Sequence, residues 1–152
     1  MFWFNKKNNI AAVASGILLD ISDSNDEAIS SGALGVGYLI QPSDSKIVSP
    51  IDGEVAFLFP TLHALGIKGT ENEILIHIGI DTVNLNGEGF YPNIQKGQQV
   101  KMGDVLMTVD FELIKKRNLD TGIAVIFTNR STCSVINPGR QVAEGEINIV
   151  KL

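Results

Sequence analysis

The chain is poor in the residues that do most metal and covalent chemistry. Its 152 residues include one cysteine, Cys133, and two histidines, His63 and His77. A single cysteine excludes a disulfide framework and an all-thiolate metal site. Any imidazole chemistry therefore rests on the two histidines. Basic residues are also short, with 12 Lys and Arg against 17 Asp and Glu, a formal charge of −5. Without a basic stripe there is no source of counterion release, so no nucleic-acid partner is expected. Long apolar runs are missing too. The most conspicuous, Ile10–Leu19, spans ten residues, about half of a membrane span. What is plentiful is aliphatic. With 44% hydrophobic and 19% charged residues, the chain has the means to bury a core without staples and is too apolar for disorder.

Lys6 and Lys7 followed by Ile10–Leu19 imitate the basic and apolar regions of a secretory signal. Asp20, Ile21 and Ser22 follow instead of a small-residue cleavage site, and Ser15-Gly16 reads as a turn between two short strands. The expectation is an N-terminal hairpin on a cytoplasmic protein, preceded by a flexible tail over residues 1–9. Met1-Phe2-Trp3-Phe4 with its two lysines suits peripheral contact of residues 1–7 with an anionic membrane face.

Most other apolar segments are short and end in Gly, Pro, Asn or Asp. Val55–Phe59 stops at Pro60, Ile74–Ile80 at Asp81, and Val105–Val109 at Asp110, with Ile47–Val48, Ile123–Phe127 and Ile147–Val150 alike in composition. Punctuated, β-branched runs predict an all-β sandwich or barrel, formed by residues 10–152 as one domain. One or two short helices are expected, the clear candidate being Asp110–Asn118, with an acidic start and a basic end. Two echoes predict duplicated strand–turn–strand units. Gly97–Val105 (GQQVKMGDV) is matched 42 residues later by Gly139–Ile147 (GRQVAEGEI), and Ser15–Leu18 (SGIL) resembles Asp52–Val55 (DGEV).

The densest segment is Glu73–Val83 (EILIHIGIDTV). Read as a strand, it puts Ile74, Ile76, Ile78 and Ile80 on one face and Leu75, His77 and Gly79 on the other. A glycine beside His77 predicts open space next to the imidazole. If Phe59–Gly66 is extended, Thr61 and His63 point the same way, and the hydroxyl is placed to fix the ring's tautomer. Nothing in the spacing brings His63 to His77.

Leu75–Phe90 (LIHIGIDTVNLNGEGF) resembles the signature of the enzyme IIA domain, glucose family, of the bacterial phosphoenolpyruvate-dependent sugar phosphotransferase system. Pro42–Gly53, Phe59–Ala64 and Gly97–Asp104 match in the same order. The resemblance implies an antiparallel β-sandwich with two facing histidines in a shallow apolar depression. By position it makes His77 the phosphoryl acceptor through Nε2 and His63 a donor to the phosphoryl oxygens. Thr61 orients His63, and the Gly79 carbonyl holds His77 Nδ1. It implies the phosphocarrier HPr as donor and a IIB cysteine as acceptor, with no cofactor and no metal. Asp26 and Asp81 match acidic positions that meet the carrier's arginines, and Val83 and Ile29 complete the expected partner surface.

This chain departs from the family pattern in Ser24–Ile29, in Gly35-Val36-Gly37, and in Ala124, which stands where proline is common. Those departures keep a regulatory IIA paralogue, acting by protein binding, as the alternative. A lysostaphin-type zinc hydrolase also has a related β fold, with His63, His77 and Asp81 as nominal ligands. It lacks the His-x-His pair such an enzyme needs. A biotinyl or lipoyl carrier is poorly served by Lys101-Met102-Gly103. Ser131–Val135 around Cys133 has no basic IIB motif, so this thiol is expected to be buried or incidental.

Overall fold

A computed structural model describes residues 9–152. The tail through residue 8, with the expected membrane contact of residues 1–7, lies outside the described residues. The first half of the chain forms β1 (Gly16–Asp20), α1 (Glu27–Ser30), β2 (Val36–Pro42), β3 (Lys46–Val48), β4 (Gly53–Leu58), β5 (Ala64–Lys68) and β6 (Glu73–Ile78). The second half forms β7 (Phe90–Pro92), β8 (Gln99–Val100), β9 (Val105–Val109), α2 (Phe111–Lys116) and β10 (Ile123–Phe127). It closes with β11 (Ser134–Val135), β12 (Gln141–Val142) and β13 (Val150–Lys151).

Eight strands make one antiparallel sheet in the order β12-β1-β2-β10-β6-β5-β4-β8, beside a three-stranded sheet β3-β9-β7 and the pair β11-β13. The large sheet is open at both ends, so the sandwich forms and the barrel does not. Its inner face follows from side-chain alternation. Tyr38 and Ile40 of β2, Ile123 and Val125 of β10, Ile76 and Ile78 of β6, and Leu65 and Ile67 of β5 enter the main core, all buried. Each aliphatic side chain taken fully from water contributes about 1.5–3 kcal/mol.

The duplication is visible in the backbone. Gly53 pairs with Val100 as Gly16 pairs with Val142, at opposite ends of the large sheet. Gly97 N donates to Val55 O at 2.8 Å, and Gly139 N donates to Leu18 O at 2.7 Å. In the turns that follow, Asp104 accepts from Lys101 N at 2.8 Å, and Glu146 accepts from Ala143 N at 3.1 Å. Gly97 and Gly139 sit at φ near +90°, a conformation that costs other residues energy and costs glycine little.

Three local expectations are corrected. No N-terminal hairpin forms. Ile10–Ala14 is buried without joining a strand, its amides and carbonyls spread over Pro50, Glu146, Val48 and Gly145. The segment expected as a strand over Ile147–Val150 is reduced to β13, because Asn148 turns to φ 62°. The helix after Asp110 is shorter than Asp110–Asn118. Asp110 caps it, accepting from Leu113 N at 3.1 Å, and it ends before Arg117.

Candidate functional site

The outer face of the large sheet carries the histidines. His77 lies on β6, paired on one side with Ala64 of β5 and on the other with Ala124 of β10. Directly paired residues share a face, so Leu39, Ala124, His77 and Ala64 form one row. The side chains paired on both flanks of His77 are small, and the imidazole is half-buried.

His63 is delivered by a turn. Phe59–His63 is not extended as the sequence suggested. Leu62 N donates to Phe59 O at 2.8 Å, and Leu62 adopts φ 64°. The expected pairing of side chains survives by this other route, with Thr61 Oγ1 2.8 Å from His63 Nδ1. When the hydroxyl donates to Nδ1, the neutral ring carries its proton on Nε2 and becomes a donor there.

The two rings meet edge to face, 5.2 Å between centroids at 87°. Behind His63 stands Phe59, 5.4 Å away and also edge-on, and behind Phe59 lies Phe57 at 5.6 Å. Phe57 in turn covers Gly66, where any Cβ would collide with its ring. This aromatic buttress was not foreseen, although Phe57, Phe59 and His63 share one short run. His63 is 5% exposed, while Phe59 remains 44% exposed.

Burial lowers the pKa of His63 below its ordinary value, and the neighbouring His77 lowers it further. Burial also lowers that of His77, against the opposing pull of the Gly79 carbonyl and of the charges on Asp26 and Asp81. Both rings are therefore neutral near pH 7. On His63 the lone pair is occupied by the Thr61 hydroxyl, so the ring offers an N–H, and His77 is the one left to act as nucleophile.

Gly79 does not leave open space beside His77. Its φ is +74°, and an added Cβ would meet Thr82 Cγ2 at 2.5 Å and Asp120 O at 2.8 Å. The residue is glycine because the chain turns sharply here and packs tightly, which also takes Ile80 out of the Ile74, Ile76, Ile78 row. Thr82 is fully buried, and its Oγ1 donates to Ile78 O at 2.5 Å, bracing the corner. His77 Nδ1 is sealed from solvent without a hydrogen-bond partner among the described residues. The Gly79 carbonyl is near enough to favour the protonated ring, yet stops short of hydrogen-bond geometry with Nδ1.

Asp81 is exposed at φ 60°, leading into a 3-10 turn over Thr82–Leu85, and Val83 on that turn is 44% exposed. Asp26 caps α1, accepting from Ala28 N at 3.0 Å. Ile29 departs from expectation. It is 2% exposed and packs on Leu39, Ala124 and Ile126, so its side chain seats α1 on the sheet and is not offered to a partner. Cys133 is half-buried against the main core, its thiol pushed up to about 11 by burial and by Asp20. Among the described residues, no three His, Cys, Asp or Glu side chains converge as metal ligands, so His63, His77 and Asp81 do not form the zinc set of a hydrolase.

Residues 8–133 match the family model described as phosphoenolpyruvate-dependent sugar phosphotransferase system, EIIA 1. The chain is 38% identical over 146 residues to the glucose-specific EIIA component of Halalkalibacterium halodurans, covering 94% of this chain and 84% of that protein. It is 45% identical over 117 residues to the glucosamine-specific EIICBA component of Bacillus subtilis, covering 76% of this chain and 18% of that longer protein. The solved structure of glucose permease IIA from Mycoplasma capricolum superposes with a TM-score of 0.89 at 34% identity, covering 98% of this chain and 99% of that one. The two-histidine sandwich thus belongs to the EIIA family of the phosphoenolpyruvate-dependent sugar phosphotransferase system, whose members are phosphocarriers.

Proposed function

We propose that His77 is the phosphoryl acceptor of this chain and that the juxtaposed His63 stabilises the group in transit. The single observation carrying this reading is the edge-to-face pair of neutral imidazoles, 5.2 Å apart. The Nε2 lone pair of His77 attacks phosphorus while the bond from phosphorus to phospho-HPr breaks, its electron pair leaving on the carrier. The His77 ring, with its proton on Nδ1, gains positive charge. The Gly79 carbonyl and the carboxylates of Asp26 and Asp81 favour that charged ring. His63 Nε2–H, set by Thr61, donates to the phosphoryl oxygens once the group is on His77 and as it leaves for IIB. Little else is needed, because phosphoryl transfer between nitrogens is chiefly alignment and charge stabilisation.

The acceptor of the onward step is a cysteine on a IIB domain. The Bacillus subtilis relative, named for C, B and A components in one chain, supports that order. Both partners dock on the rim formed by Asp26, Asp81, Val83 and the exposed edge of Phe59, a small surface suited to brief contacts. Residues 10–152 act as one IIA-type domain with residues 1–9 as its tail. The protein works in the cytoplasm, with residues 1–7 as a peripheral membrane contact. No helix among the described residues is long and apolar enough to cross a membrane.

The reading is tested by incubating the protein with labelled phosphoenolpyruvate, enzyme I and HPr, then adding an isolated IIB domain. Label that reaches the protein only through HPr and then leaves to IIB supports it. A protein that binds HPr yet never takes label is a regulatory paralogue.

A further inference from the structure

Asp120 lies outside the histidine pair, yet three parts of the site meet at it. Both oxygens of its half-buried carboxylate are engaged. Oδ1 accepts from Gly122 N at 2.8 Å, closing the turn over residues 120–122. Oδ2 accepts from Asn25 Nδ2 at 2.7 Å, across 95 residues of sequence. The main chain of the same turn receives the two amides that follow His77 and Ile78. Gly79 N donates to Gly122 O at 2.8 Å, and Ile80 N donates to Asp120 O at 3.1 Å.

The consequence is geometric. The Gly79 carbonyl and the Ile80 N–H belong to one planar trans peptide and point in opposite directions. Pinning Ile80 N–H on Asp120 O therefore fixes the direction of the Gly79 carbonyl, the group beside the buried Nδ1 of His77. Asn25 immediately precedes Asp26, the cap of α1 whose charge acts on the same ring. One carboxylate thus ties the turn that aims the carbonyl to the segment that carries the acid.

We propose that Asp120 is a positioning residue for phosphoryl transfer at His77. Its side chain clamps the 120–122 turn to the Asn25–Asp26 segment, so that the Gly79–Ile80 peptide keeps one direction next to His77 and the field of the Gly79 carbonyl favours the Nδ1–H tautomer. The inference rests on His77 being the acceptor.

The test reads the ring directly. Nitrogen-15 NMR of the unphosphorylated protein, at a pH where both rings are neutral, reports the His77 tautomer without any transfer step. Wild type holds the proton on Nδ1, and Asp120→Ala gives a tautomer mixture, with kcat for phosphorylation by phospho-HPr falling roughly tenfold. Asn25→Ala, which frees only the α1 limb, leaves the tautomer unchanged and raises KM for phospho-HPr. Asp120→Asn keeps an acceptor for Gly122 N, and the Asn25 amide turns to meet it, restoring kcat to within about twofold of wild type. Should Asp120→Ala fail to fold, Asp120→Glu, whose longer side chain cannot close the same turn on Gly122 N, shows the same tautomer shift. A wild-type tautomer and kcat in Asp120→Ala, or in Asp120→Glu, overturns the proposal, as does an Asp120→Asn protein no better than Asp120→Ala. Failure of the acceptor assignment is distinct, since it shows as a wild type that takes no phosphoryl group on His77.

Discussion

The imidazole of His63 stands edge-on to that of His77, 5.2 Å away, although the two come from different local structures. His77 is held by strand pairing on both sides, and His63 by a turn with a left-handed residue beside it. The neighbouring β5 and β6 bring them together, with Ile78 N donating to His63 O at 2.8 Å. Burial lowers the pKa of both rings, and His77 lowers that of His63 further.

Both histidines are expected to titrate below 6.5 in the folded protein. A folded pKa beneath the unfolded one means that the unfolded chain binds more protons in between. The stability these neutral rings allow is therefore complete above pH 6.5 and is lost as pH falls through their folded pKa values. Urea unfolding at a series of pH values should show a steeper loss below pH 6.5 in wild type than in His63→Gln or His77→Gln. Proton NMR titration should also show that Asp26→Asn and Asp81→Asn each move the His77 midpoint further down. An upward move contradicts the assignment of those charges.

Gly79→Ala should destabilise the fold by about 1–3 kcal/mol, because a β-carbon is forced into a left-handed conformation and onto Thr82 and Asp120. The same change shifts the carbonyl beside His77, so phosphorylation should slow as well. Denaturant midpoints and initial rates on one preparation check both effects.

Thr61→Val keeps the volume of the side chain and removes the hydroxyl 2.8 Å from His63 Nδ1. The expected outcome is near-normal phosphorylation of His77 with onward transfer to IIB slowed roughly tenfold, the scale of one hydrogen bond to a charged group. Equal slowing of both half-reactions would argue instead for a general disturbance of the turn.

Ile29→Ala should act on α1 and not directly on a partner. Its side chain is buried on Leu39, Ala124 and Ile126. Removing a buried branched side chain typically costs 2–5 kcal/mol, an upper bound for a short surface helix of four residues. Amide exchange should rise first over Glu27–Ser30, with the core strands unaffected.

Much of this was legible in one dimension. Alternation over Ile74–Ile78 identified both the core face and the histidine's face, and the echo of Gly97–Val105 in Gly139–Ile147 anticipated two ends of one sheet. Thr61 was paired with His63 for the wrong backbone reason, since period-two reasoning assumes an extended chain and Leu62 breaks it. Gly79 was read as a gap because a missing side chain looks like space until the neighbours are placed. Ile29 sits among polar residues, and only the docking of α1 shows which way it faces. Asp120 and Asn25 are 95 positions apart. No local pattern links them, so their role emerges only from tertiary contact.

The most direct test of the assignment is intact-mass analysis of wild type, His77→Gln and His63→Gln after incubation with phosphoenolpyruvate, enzyme I and HPr. Wild type and His63→Gln should each gain a single acid-labile phosphoryl group, and His77→Gln none. Unimpaired labelling of His77→Gln would contradict the assignment outright.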